Sequence, residues 1–249
     1  MNEQEIVEQA CKIVDLAKEK SVTLRLMGGA AFRVKCPKCS YYHEKVGRRL
    51  PDIDYAAYSR QRMGVVNLLK ELNYEVDRRY AAIHPGRGHF ESPSQTEIDV
   101  FYDKLEMCHT ISFKDRLELD YPTVPLADML IQKMQIVEIE WKDIVDSFVL
   151  LLEKELGDSD NDQINYKYIS KLLSNDWGFY HTVTSNLKKI HAESDTFLGF
   201  SQKEKDIIRA RISRIIEEID KEPKSLQWKA RSKIGTRKRW YNEVSDFFR

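Results

Sequence analysis

The chain has 249 residues, of which 42% are apolar, and its 40 Lys plus Arg balance 40 Asp plus Glu. That length serves one large domain or two modest ones, with cores that need no disulfide or metal staple. No stretch approaches the roughly 18 consecutive apolar residues of a membrane span, which excludes a helical membrane protein.

Residues 1–8 are acidic and already helix-patterned, with neither the basic start nor the apolar core of a signal peptide, so a cytoplasmic location is expected. Ile6, Ala10, Ile13, Val14 and Ala17 recur at spacings of three and four, which predicts an amphipathic opening helix. A β-rich run over 22–27 follows, stopped by Gly28-Gly29, and 30–34 then reads as helix. Residues 36–51 read as a polar loop that delivers the chain into a second strand over 52–58. A helix is predicted over 61–72, then strands over 74–80, 96–102 and 105–113, with 84–88 as a turn. After Pro125 the pattern is helical throughout: 126–137, 141–156, 165–173, 177–190, 202–219 and 226–248. The polar stretch 157–162 is the best linker. The expectation is an α+β fold with a small mixed sheet flanked by helices over 1–157, followed by an all-helical part over 158–249.

Alternate side chains of a strand share a face, so Asp52 and Asp54 project together while Ile53 points into the core. Two adjacent carboxylates repel unless a cation lies between them, and Mg²⁺ or Mn²⁺ held by carboxylates and substrate phosphates is the usual solution. Asp99, in the apolar run Ile98-Asp99-Val100-Phe101, is the natural third ligand, with Glu97 on the same face as its substitute. Gly28-Gly29 permits a sharp turn and lets backbone N–H groups at a helix start approach a phosphate.

On these residues the chain resembles the DNA polymerase β-like nucleotidyltransferase superfamily, which carries a glycine turn after the first strand, a D-h-D strand and a later third Asp. It is most similar to the AbiEii-type nucleotidyltransferases of toxin–antitoxin and abortive-infection systems. The matching elements are Leu26-Met27-Gly28-Gly29-Ala30-Ala31, Arg49-Leu50-Pro51-Asp52-Ile53-Asp54, Lys133 and Lys142-Asp143-Ile144-Val145-Asp146, within residues 22–150. The resemblance implies that Gly28, Gly29 and Lys133 bind the NTP phosphates. It further implies that Asp52, Asp54 and Asp99 hold the metal, and that Asp143 orients or deprotonates the acceptor. The implied reaction moves an NMP group from an NTP to a hydroxyl on RNA, protein or a small molecule, releasing pyrophosphate.

Two further features stand outside that site. Four cysteines are too few for a disulfide framework, but Cys36, Cys39 and His43 have the spacing of half a structural Zn²⁺ site that Cys108 would help complete. The basic tail interleaves Trp228, Trp240 and Tyr241 with Lys229, Arg231, Lys233 and Arg237–Arg239, a composition that suits single-stranded nucleic acid. The alternative to catalysis is a non-catalytic module of the same fold that binds RNA or a protein through this tail.

Overall fold

The computed structural model describes residues 2–93, 96–194 and 199–244. Helix α1 (Glu3–Glu19) starts on a capping box between Asn2 and Glu5 and buries Ala10, Ile13, Val14 and Ala17. Strand β1 (Leu24–Met27) runs without a loop into α2 (Gly28–Lys35). The following residues contain a short helix, α3 (Tyr41–Lys45), where a loop was expected. Strand β2 (Asp52–Ala57) and helix α4 (Arg62–Glu71) then lie where predicted.

The stretch read as one strand over 74–80 divides into β3 (Glu75–Val76) and α5 (Arg78–Ile83). Asp77 ends the strand, because its carboxylate accepts from the N–H groups of Arg79 and Tyr80 and so opens the helix as an N-cap. Strand β4 (Arg87–Glu91) begins inside the segment read as a turn. Its polar sequence carries no strand signal of its own, and it is held by pairing with β5 (Glu97–Tyr102). The run 105–113 is a hairpin, β6 (Lys104–Glu106) and β7 (Thr110–Ser112).

The main sheet has the order β1-β2-β5-β4-β3, with β2 and β5 parallel and the other neighbours antiparallel. A parallel pair needs a long crossover, and residues between Ala57 and Glu97 provide it through α4, β3, α5 and β4. One face packs on α1 and carries the core through Leu24, Leu26, Ile53, Tyr55, Ile98 and Val100, all fully buried. The other face is polar along its middle strands.

Helices α6 (Leu126–Met134) and α7 (Trp141–Glu153) stand over that polar face, and every residue of α6 is buried. A small parallel pair, β8 (Leu156–Gly157) and β9 (Ile164–Asn165), precedes α8 (Tyr166–Leu173), α9 (Trp177–Glu193) and α10 (Gln202–Lys221). Ile208, Ile212, Ile215 and Ile219 form the buried stripe of α10, each worth about 1.5–3 kcal/mol of burial. The last predicted helix is shorter than expected: α11 spans Leu226–Ser232, and the predicted residues beyond 244 lie outside the described ones. The Arg231 guanidinium donates to the carbonyls of Gly235 and Lys238 and turns the chain back, so that Trp240 lies against Trp177 and His181.

The polar segment expected as a linker is tied down. Arg116 is bonded to Asp128 of α6 and to Asp160, and its guanidinium lies 3.6 Å from the centre of the Tyr168 ring. Asp128 is buried, so removing Arg116 leaves an interior carboxylate with the Tyr168 hydroxyl as its donor and no cation among the described residues. Arg116→Met should cost about 3–5 kcal/mol of unfolding free energy, and adding Asp128→Leu should recover much of it. Denaturant melts of the two variants check this; a double variant no more stable than the single one would show that the pair is not the cause.

Candidate active site

The in-register parallel pairing of β2 with β5 sets Asp54 beside Asp99 and Asp52 beside Glu97. On the other side of β5, antiparallel β4 sets His89 beside Asp99 and Glu91 beside Glu97. Strand β3 extends the second row with Glu75 opposite Glu91. The polar face therefore bears two rows, Asp54-Asp99-His89 and Asp52-Glu97-Glu91-Glu75. Directly opposed like charges destabilise a sheet, so folding alone gives no reason for this arrangement.

Met27 pairs with Asp54, so the glycine turn that follows β1 lies directly over that carboxylate. Gly28 has φ +59°, and a Cβ there would come within 1.9 Å of Asp54 Oδ2. At Gly29 a Cβ would meet Leu50 at 2.8 Å and Arg48 Nη2 at 3.0 Å. Gly28 thus needs glycine for close approach and for its backbone conformation, whereas at Gly29 the ends of the Leu50 and Arg48 side chains would have to move aside. The Gly28 N–H donates to Gln132 Oε1 of α6 at 3.2 Å.

All seven residues predicted for catalysis and nucleotide binding, Gly28, Gly29, Asp52, Asp54, Asp99, Lys133 and Asp143, line one cleft of about 590 Å³. Burial, reinforced by Asp52 and Asp99, pushes the Asp54 carboxyl up to about 8. Asp52 is also raised, by burial and by Asp99, against the opposing pull of Arg48 and Lys133. Asp99 is oriented sideways: its Oδ1 is 2.9 Å from His89 Nδ1, and Arg87 Nη2 is 4.0 Å from its Oδ2.

Opposite the carboxylates, Lys133 Nζ sits 3.0 Å from Asp143 Oδ1 and 2.9 Å from Asp146 Oδ2. Asp146 is fully buried and is also reached by His43 Nε2 at 3.1 Å, Arg48 Nη2 at 3.3 Å and Arg33 Nη1 at 3.5 Å. Burial would raise its carboxyl, but Lys133, His43 and Arg48 more than reverse this and hold it far below the ordinary carboxylate range. Lys133 is held above its ordinary value by Asp146 and Asp143 against its own burial. Asp146 is thus the hub on which α2, the α3 loop, α6 and α7 converge.

The proposed zinc ligands are not brought together. His43 is committed to Asp146 and to the Ser40 carbonyl, while the Cys39 N–H donates to Glu153 of α7. Cys36 is buried nearby, but Cys108 lies in the β6–β7 hairpin, where its carbonyl accepts from Asn242. Among the described residues no three His, Cys, Asp or Glu side chains form a closed metal cage. This applies equally to the Asp52, Asp54 and Asp99 set, in which Asp99 is turned to His89. The aromatic residues of the tail are also engaged internally: Trp228 packs edge-on against Tyr180, and the Trp240 indole donates to Thr182.

Arg48, Arg87, His89, Gln132 and Asp146 line or support the cleft and were not found from the sequence. Asp146 alone had a local signal, as the second acid of Asp143-Ile144-Val145-Asp146; the others arrive through strand pairing or helix packing.

The hub gives a definite pH dependence. A carboxyl depressed by folding contributes stability above its unfolded value of about 3.9, and that stability is lost as pH falls below it. Asp146→Asn should cost about 3–5 kcal/mol at neutral pH, on the order of 10 °C in melting temperature. Its deficit against the wild type should shrink as the pH is taken from 5 towards 2. A deficit that stays constant over that range would refute this account of the hub.

No family model matches the chain, and no curated protein matches it. Among solved structures, the solution structure of the antibiotic-resistance factor ANT(2'')-Ia is similar at 13% identity, covering 70% of this chain and 96% of that chain, with a TM-score of 0.42. So distant a likeness says nothing of activity or substrate.

Proposed function

We propose that this chain is a divalent-cation-dependent nucleotidyltransferase that moves an NMP group from an NTP to an acceptor hydroxyl. The observation that carries the reading is the cleft: paired carboxylates of β2 and β5 beneath the Gly28 turn, faced by Lys133. These are the residues, in the chain order, that the superfamily resemblance implies, and the likeness to AbiEii-type enzymes belongs to the same proposal. The donor set suits a hard cation, because three neighbouring carboxylates, one pushed up to about 8, are relieved by positive charge.

Asp52 and Asp54, joined by Asp99 if it turns from His89, would hold Mg²⁺ or Mn²⁺, which would supply neutralisation of the triphosphate and of the leaving pyrophosphate. The protein's own groups do the positioning. Gly28 and Gly29 let the substrate phosphates approach the start of α2, where the helix dipole favours negative charge. Lys133 has three N–H bonds; Asp143 and Asp146 take two, which leaves a third for a phosphate oxygen. Asp143, in the first turn of α7, orients the acceptor hydroxyl for in-line attack on the α-phosphorus. The P–O bond to pyrophosphate breaks as the acceptor O–P bond forms, and the hydroxyl proton passes to the Asp143 carboxylate.

Beyond the proposed metal ligands the acids continue along the sheet as Glu97, Glu91 and Glu75, where no bound cation would neutralise them, and this bears on the acceptor. A wall of like charge repels polyanions, so it disfavours RNA relative to a neutral or cationic small molecule. Trp228 and Trp240 pack on α9 while Lys229, Lys233, Arg237, Lys238 and Arg239 are exposed, so the binding-only alternative would rest on the charge of the tail more than on stacking.

Asp52→Asn and Asp54→Asn should each lower transfer from an α-labelled NTP by on the order of 10²–10³-fold or more. Their melting temperatures should be unchanged or higher, since each removes a repelling carboxylate. Retained transfer in either variant would overturn the assignment. Incubating wild-type protein with labelled NTPs, Mg²⁺ and a cell extract should put the label into the small-molecule fraction, and label confined to RNA would refute the acceptor preference.

A further inference from the structure

Beside the glycine turn lies a feature that no motif accounts for. Gln132 of α6 lines the cleft and is only 7% exposed. Its Oε1 accepts the Gly28 N–H, and this settles which end of the amide faces the turn, because an NH₂ group there would oppose another donor. Its Nε2 is therefore the end turned away from the Gly28 N–H. That nitrogen is buried, and among the described residues nothing accepts from it. Arg48 presents a similar group on the other side of the turn. Its side chain is 10% exposed, its Nη2 is held by Asp146 and its Nη1 by the Arg49 carbonyl, while its Nε, also buried, has no acceptor among the described residues. The same guanidinium lies 3.0 Å from where a Cβ at Gly29 would stand.

Two buried donors left without acceptors, on the two side chains that flank the glycines of a turn at a helix start, are costly unless a ligand oxygen completes them. Both are donors only, so the completing group is an acceptor, and Arg48 makes it an anionic one. We propose that Gln132 Nε2 and Arg48 Nε are the side-chain donors that seat phosphate oxygens of the nucleoside triphosphate against Gly28-Gly29. This rests on the nucleotidyltransferase reading and adds to it two binding residues from outside its motifs. Gln132 couples the seat to the turn: the residue that receives the phosphate also receives the Gly28 N–H, so α6 and the start of α2 are held in one arrangement. Arg48 couples it to the buried hub, because Asp146 fixes its guanidinium.

The informative variants are Gln132→Glu, which keeps an oxygen for Gly28 but turns the donating end into a charged acceptor, and Gln132→Met, which removes the donor without adding charge and should weaken triphosphate binding in the same direction. Binding is measured by calorimetry with Mg²⁺ and each of the four ribonucleoside triphosphates, with inorganic tripolyphosphate, and with the corresponding nucleosides. The wild type should bind the triphosphate it prefers and, more weakly, tripolyphosphate. Gln132→Glu and Arg48→Met should weaken both by about 10-fold or more while leaving any nucleoside affinity unchanged. Wild-type binding of a triphosphate with unaltered affinity in Gln132→Glu overturns the seat and leaves the enzyme assignment standing. If the wild type binds neither triphosphate nor tripolyphosphate, both fall together. Should the variants fail to fold, the side-chain amide protons of Gln132 in wild-type protein decide by NMR. They should shift on addition of a non-hydrolysable NTP analogue and Mg²⁺, and resonances that stay in place at saturation overturn the proposal.

Discussion

The arrangement of the cleft depends on one constraint, the in-register parallel pairing of β2 with β5. It places Asp54 and Asp99 in neighbouring positions, and a shift of one residue would turn the carboxylates of one strand into the core. The opposite face prevents that shift, since Ile53, Tyr55, Ile98 and Val100 are fully buried against the rest of the core. Hydrophobic burial on one side of the sheet thus holds mutually repelling acids together on the other. The glycine turn depends on the same register, because β1 ends opposite Asp54 and only a residue without a side chain fits over it.

Charge balance then determines how the helices sit. The sheet face concentrates acids, and the helices opposite bring Lys133 and, through the α3 loop, Arg48. These cations are held by a second buried acid, Asp146, which also gathers Arg33 and His43. A buried carboxylate with several cationic or hydrogen-bonding partners is a specific joint: its desolvation is offset only when all of them are in place. The Arg116-Asp128-Asp160 cluster has the same character at the other end of α6, and it links the segment after α7 to the sheet half of the molecule. Helix α6, buried along its whole length, is therefore fixed at one end by Asp128 and near the other by Lys133.

Residues whose types suggest a second use share one physical feature. Cys36, Cys39 and His43 have metal-like spacing along the chain, but His43 is drawn into the hub and Cys108 belongs to a hairpin packed near the tail. The tail aromatics have the composition of a nucleic-acid platform, yet they complete the packing on α9. In each case the residue types are compatible with two uses, and packing partners distant in sequence choose between them. Strand β4 illustrates the same point for secondary structure, since Arg87-Gly88-His89-Phe90-Glu91 is extended only because β5 and β3 flank it.

Local chemistry was enough to read helices α6 to α10, the glycine turn, and the shared face of Asp52 and Asp54, because periodicity and backbone freedom are properties of a few consecutive residues. The candidacy of Asp99 was legible too, as an acid in an apolar strand. What required the fold was every relation across the cleft: the neighbour of each carboxylate, the ring that holds Asp99, the hub at Asp146, and the unfilled donors of Gln132 and Arg48. These arise from strand register and helix packing between segments separated by tens of residues, and no short-range pattern encodes which of them will meet.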